Sequence, residues 1–268
     1  VARSPFQWDN DIELNVELFG DDWTADRCSN TTNQVINVLC FVPGVCESAE
    51  TWTVQRLVRL ILTADEKPPQ QDGNKWNMAV LELEGHGLSS GPRGVLRSSS
   101  SSSSGKRSGL DRLVHQVVSF CHHITSILTD EIDSSQTTAA TPTTTKNVNI
   151  VLAGMSLGGT LATYAASKFV QELATRPQRV RSAVTFSGCL LLSPAVGVAK
   201  EAIPPPFIVN ALSCLAYVAP TMAILTPNED PSHYACPAWS TRNYEGQWPL
   251  GTSKLLLDIT SVIVPEDV

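Results

Sequence analysis

The pentapeptide Gly154-Met155-Ser156-Leu157-Gly158 has the residue types and spacing of a nucleophilic serine. It follows an apolar β-type run, Asn149 to Ala153, and precedes the small-sided helical stretch "TLATYAASKFVQEL". A G-x-S-x-G sequence between a buried strand and a helix puts the serine on a sharp turn with its Oγ clear of the sheet. Side chains two residues either side of such a serine collide with neighbouring backbone, which accounts for glycine at both places. The helix N-terminus that follows adds a field favouring a developing oxyanion. A serine capping a glycine-rich helix is the other reading of the same five residues.

A serine hydroxyl is a weak nucleophile at neutral pH and needs a histidine, itself oriented by a carboxylate. On a strand–turn–helix serine the partners follow in the order acid, then histidine. The one histidine after Ser156 is His233, in "PNEDPSHYACP", close behind Asp230. That pair is a secondary candidate, and polar surface is the preferred reading of it. His115 and His122 fall on the polar face of a helix and His123 flanks that face, so all three are expected to be solvated. His86 sits in a Gly-His-Gly turn.

The elements that must position Ser156 are legible as alternating strands and helices. "DIELNVELF" (11–19) alternates and reads as a strand paired in an N-terminal hairpin. "QVINVLCFV" (34–42) is continuously apolar, the mark of a strand buried on both faces. "TVQRLVRLILTA" (53–64) has helical spacing, and "NMAVLELE" (77–84) reads as a strand. "LDRLVHQVVSFCHHITSIL" (110–128) is a helix with Leu110, Leu113, Val114, Val117, Cys121, Ile124 and Leu128 on its apolar face. "RSAVTFSG" (181–188) reads as a further strand. This alternation predicts βα units and a parallel sheet. Low-complexity stretches at 66–75, 98–104 and 134–145 fall between elements and read as surface loops.

With 268 residues, 42% of them hydrophobic and 17% charged, the chain suits one large α/β domain. A formal charge of −7 with scattered basic residues argues against a nucleic-acid partner. Seven irregularly spaced cysteines form neither a disulfide framework nor a zinc pattern and suit a reducing compartment, so the expected location is cytoplasmic. The sequon at Asn30 carries little weight, and no signal peptide opens the chain, which does not begin with methionine. Phe207 to Ala219, bracketed by prolines, is too short to span a bilayer.

"NIVLAGMSLGGTLA" together with "LELEGHGLSSGPRG" (81–94) resembles the α/β-hydrolase fold, specifically the monoacylglycerol lipase-like serine hydrolases. Plant members of that group act on monoacylglycerols, lysophospholipids or caffeoyl esters. The resemblance continues through the apolar stretch around 203–225 and "LGTSKLLLDIT". It implies a mostly parallel sheet flanked by helices, with a helical cap and with the last strands and helices of the core absent. Residues 1–192 would form the N-terminal part of the core, 193–253 the cap or lid, and 254–268 the return to the core. An ordinary buried helical insertion is the alternative for 203–225.

The same resemblance assigns Ser156 as nucleophile. The backbone N–H groups of Val45, in "FVPGVCESAETW", and of Leu157 become the oxyanion donors. Pro43 stands where the family usually has histidine, so that loop's usual hydrogen bonding is not expected. Acid and base are expected beyond Val268, since Asp258 and Asp267 precede the matching point. The implied reaction is cleavage of a monoacylglycerol to fatty acid and glycerol through an acyl-enzyme, with no cofactor and no metal. The implied partners are a lipid or other small ester and, through the cap, a membrane surface. A lysophospholipase, a caffeoyl-ester hydrolase and a non-catalytic relative that binds lipid or protein are the alternatives.

Overall fold

The computed structural model describes residues 1–20, 23, 35–63, 76–97, 106–129, 147–198, 203–225, 242–244 and 246–263. Near the N-terminus lie the short strands β1 (Ala2–Arg3), β2 (Phe6–Asp9), β3 (Ile12–Leu14) and β4 (Val16–Phe19). Strands and helices then alternate: β5 (Val35–Val42), α1 (Trp52–Thr63), β6 (Trp76–Leu81), α2 (Lys106–Thr129), β7 (Asn147–Met155), α3 (Leu157–Thr175), α4 (Gln178–Ala183) and β8 (Val184–Leu192). After them come α5 (Pro206–Val218), β9 (Ala223–Leu225), β10 (Trp248–Pro249) and α6 (Leu250–Ile263).

The main sheet has the order β1-β4-β6-β5-β7-β8. β6, β5, β7 and β8 are parallel, and β4 and β1 continue the sheet antiparallel. The unbroken apolar run of β5 follows from its central place. Ile36, Val38, Cys40 and Val42 pack with residues of α2, α3 and α6, while Leu39 and Phe41 pack on the other face with Val54 and Val58 of α1. Because side chains alternate across a strand, two covered faces demand apolar residues at every position. The α2 face expected from spacing is the buried one: Leu110, Leu113, Val114, Val117, Cys121, Ile124 and Leu128 are all in the core.

Three expected strands differ in detail. The 11–19 run breaks at Asn15, whose N–H donates to Ser89 Oγ (2.7 Å) and whose Nδ2 donates to Glu82 (2.9 Å). Its first half pairs with β2 in the hairpin, and its second half enters the main sheet between β1 and β6. The 77–84 strand stops at Leu81. The segment read as strand from 181 begins instead as the one-turn helix α4, because the Val180 and Arg181 N–H groups both turn onto the Pro177 carbonyl (3.0 and 3.1 Å). Pairing with β7 then starts at Val148↔Val184. The stretches 66–75, 98–104 and 134–145, the Asn30 sequon, Asp230, His233 and Asp267 lie outside the described residues.

Helix α5 is not a buried insertion: Phe207, Tyr217 and Val218 are 73%, 77% and 84% exposed, and Ala216 is its buried residue. Helix α6 returns to the core, with Leu250, Leu255 and Ile259 buried against it, and the expected boundary after residue 253 falls inside this helix. No described helix is long and apolar enough to cross a membrane. Ile124 sits fully buried where α2 meets the sheet. Ile124→Ala is expected to cost about 2–5 kcal/mol, read as a lower urea midpoint with an unchanged slope of the transition.

Candidate active site

Parallel strands in register end level with one another. Val42 of β5 pairs with Gly154 of β7, and Met155 of β7 pairs with Leu192 of β8. The chain leaving each strand therefore converges at the carboxyl edge of the sheet, the place where open α/β sheets build their sites. Ser156 lies there, between β7 and α3, half-buried and at φ 51°, ψ −122°. Such a conformation costs a non-glycine residue roughly 1–3 kcal/mol unless its surroundings fix it.

Those surroundings are the Ser156 backbone bonds. Its N–H donates to the Leu192 carbonyl (3.0 Å), and its carbonyl accepts from Thr160 N–H (3.2 Å) and Ala195 N–H (3.0 Å). A capping serine has extended dihedrals and an Oγ that accepts from the first helical turn. Ser156 has neither, and its Oγ is left without a partner among the described residues. The flanking glycines are set by space. A Cβ on Gly154 would lie 2.2 Å from the Gly158 carbonyl oxygen, and one on Gly158 would lie 2.0 Å from that of Val42.

The loop after β5 is packed against the serine, since a Cβ on Gly44 would lie 3.3 Å from Ser156 Cβ. Glu47 shapes this loop by accepting from Gly44 N–H (2.7 Å), and Cys46 turns it through φ 66°. Burial, then the Glu47 carboxylate, push the Cys46 thiol up to about 12, so it stays neutral. Val45 N–H, at the bend, donates to no described group. Leu157 opens α3, so its N–H has no carbonyl inside the helix to meet. Pro43 supplies no N–H to the loop, and Glu47 supplies the acceptor that organises it.

Two buried glutamates and an asparagine, none singled out by the motifs, support these loops. Glu82 accepts from Ala49 N–H (3.0 Å), Leu88 N–H (2.6 Å) and Asn15 Nδ2 (2.9 Å), tying the loop after β5 to the one after β6. A Cβ on Gly87 would fall into the Glu82 carboxylate, at 1.9 Å from its carbon. Glu84 pairs with Arg112 (2.9 Å) and Arg97 (3.3 Å). Asn243 Oδ1 accepts from Ser48 Oγ (2.8 Å) and Thr51 Oγ1 (3.0 Å). The alternating acids in "LELEGHG" were the one available signal, because Glu at consecutive inward positions after an apolar strand requires internal partners.

None of the four described histidines hydrogen-bonds Ser156. His115 Nδ1 accepts from Trp8 Nε1 (3.1 Å). His122 meets Glu172 at 2.9 Å and His123 meets Ser4 Oγ at 3.0 Å. The last two are half-buried rather than solvated, His122 tilted against Phe169 and His123 stacked on Phe6, because the β2–β3 hairpin and α3 cover that side of α2. His86 Nδ1 lies 2.9 Å from the Glu84 carbonyl, and its buried Nε2 has no partner among the described residues. Among the described residues no cluster of His, Cys, Asp and Glu could hold a metal ion.

The fold is shared with solved structures. The monoacylglycerol lipase of Paleococcus ferrophilus superposes with a TM-score of 0.52 at 16% identity, over 93% of this chain and 71% of its own. A soluble variant of monoglyceride lipase from Saccharomyces cerevisiae, in complex with a substrate analog, gives 0.50 at 13% identity, over 96% and 68%. No protein-family model and no curated protein matches the chain. The mostly parallel sheet, its flanking helices and the strand–turn–helix at Ser156 define the fold: the chain has the α/β-hydrolase fold.

Burial lowers the His86 imidazole to about 4, with Arg93 acting the same way and the Glu84 carbonyl opposing both. The unfolded chain takes up this proton near pH 6.5 and the folded chain does not until about pH 4. The stability His86 confers as a neutral ring is therefore complete above about pH 6.5 and is lost as pH falls towards 4, at up to about 1.4 kcal/mol per unit. His86→Gln is expected to flatten that decline when urea unfolding is followed between about pH 7 and pH 4.5. Equal slopes in the two proteins would mean that His86 is not held neutral.

Proposed function

We propose that this protein is a serine ester hydrolase, working through an acyl-enzyme on Ser156, with monoacylglycerols as its substrate class. The observation that carries the reading is Ser156 itself. It is held in a strained turn with its backbone fully bonded, and among the described residues its Oγ and the neighbouring N–H groups of Val45 and Leu157 have no partner. Serine Oγ attacks the ester carbonyl, and the carbonyl oxygen, now negative, takes hydrogen bonds from those two N–H groups. Such preorganised donors are worth about 10²–10³ in rate each. The proton from Oγ passes to a base and then to the departing glycerol, and water releases the fatty acid by the same route in reverse.

The base and its orienting acid are assigned to residues outside those described, since none of His86, His115, His122 and His123 hydrogen-bonds Ser156. His233, behind Asp230, is one residue of that kind. The exposed apolar surface of α5 and the likeness of fold to two lipases support a lipid ester over a polar one. The site is expected to work without metal or organic cofactor.

A fluorophosphonate probe reacts with a serine only when it is activated. The protein is expected to take up one probe at Ser156, identified by peptide mass, and Ser156→Ala to take up none. Among monoacylglycerol, lysophospholipid and caffeoyl-ester substrates, monoacylglycerol is expected to have the highest kcat/KM. Preference for another of the three reassigns the substrate. Absence of both labelling and turnover reduces the protein to a lipid- or protein-binding relative.

A further inference from the structure

Residues 242–244 come from far along the chain, yet all of them bind the loop after β5. Arg242 Nε pairs with Glu50 (2.9 Å), and Tyr244 N–H donates to the Cys46 carbonyl (3.0 Å). Between them Asn243, 4% exposed, offers one oxygen to two hydroxyls, those of Ser48 and Thr51. Arg93 joins the same assembly, donating to the carbonyls of Arg242 and Gly87.

We infer that Asn243 is a positioning residue for the Val45 N–H. The inference rests on the oxyanion role given to Val45 above. The loop from 43 to 51 has no strand partner and turns through a left-handed cysteine, so its path depends on side-chain anchors. Glu82 fixes Ala49, Glu47 fixes Gly44, and Asn243 fixes Ser48 and Thr51. Of these, Asn243 alone lies in the segment that follows α5 and β9. The position of the oxyanion donor is thereby set by a stretch of chain that follows β9 as well as by the core.

Removing Oδ1 leaves two buried hydroxyls without their shared acceptor, and the loop relaxes towards other partners. A misplacement of about 1 Å near reacting groups costs on the order of 100-fold in rate, and partial relaxation less. It acts on the transition state, where the oxygen is negative, more than on bound ester.

The test uses the full chain and four proteins: wild type, Asn243→Ala, the pair Ser48→Ala with Thr51→Ala, and all three changes together. Amide hydrogen exchange is followed in peptides covering 43–51 and, as reference, 110–128. Hydrolysis of a soluble p-nitrophenyl ester gives kcat and KM separately. Asn243→Ala is expected to speed exchange about tenfold in 43–51 and not in 110–128. It is also expected to lower kcat about tenfold with KM within about twofold. The Ser48/Thr51 pair is expected to do the same and the triple change to add nothing, since the groups act as one unit.

Unchanged exchange in 43–51 overturns the inference, and so does faster exchange with an unaltered kcat, or a loss confined to KM. Should Asn243→Ala fail to fold, the Ser48/Thr51 pair gives the same two readouts. Wild type that neither turns over ester nor takes up fluorophosphonate removes the proposed function. Exchange alone then decides whether Asn243 holds the loop.

Discussion

The first turn of α3 approaches the end of β5 at backbone contact distance, and the rest of the site depends on that approach. Gly158 faces the carbonyls of Val42 and Pro43 with no room for a side chain, and Gly154 faces Gly158 in the same way. Any Cβ there would push the helix off the strand, and the serine would move with the helix. The approach is possible because β5 and β7 are adjacent, parallel and level at their ends. With the helix seated, the Ser156 backbone has to turn sharply to join strand to helix, and the positive φ is the geometric result. Its bonds to Leu192, Thr160 and Ala195 repay that strain.

Around this contact the protein places buried polar groups where a simpler fold would place apolar ones. Burying a carboxyl is costly unless its lone pairs are met. Glu82 meets donors from three segments: the end of β3, the loop after β5 and the loop after β6. Glu84 binds Arg112 of α2 and Arg97 beyond the Gly-His-Gly turn. Apolar packing is non-directional and would hold these loops near one another without fixing their orientation. Directional bonds to one carboxyl fix them relative to a single point. The oxyanion role proposed for the loop after β5 would gain from the second arrangement.

The two ends of the molecule differ in kind. The sheet is covered on one face by α2, α3 and α6 and on the other by α1, with β5 supplying side chains to both. From the end of β8 onward the chain carries exposed apolar residues, Leu190 and Leu191 in that strand, then Val196, Phe207, Tyr217 and Val218. The exposed helix α5 precedes residues 242–244 in the chain, and these bind the loop after β5.

By itself the sequence determined the parallel α/β plan, the buried β5, the apolar face of α2 and the strand–turn–helix at Ser156. These are local or periodic properties: alternation, helical spacing and the steric demand of a sharp turn all act over a few residues. The break at Asn15, the early stop of β6 at Leu81 and the turn of α4 were decided by the tertiary structure. In each, a distant or turn-specific hydrogen bond outcompetes a β-propensity that is intrinsically weak. The partners of His122 and His123 were likewise settled by what covers α2, which periodicity does not encode. The anchoring of the loop after β5 was the least legible part. Ser48, Thr51 and Asn243 are ordinary polar residues in sequence, and only folding brings the last of them, almost two hundred residues on (|i−j| = 195 and 192), to within hydrogen-bond distance of the first two.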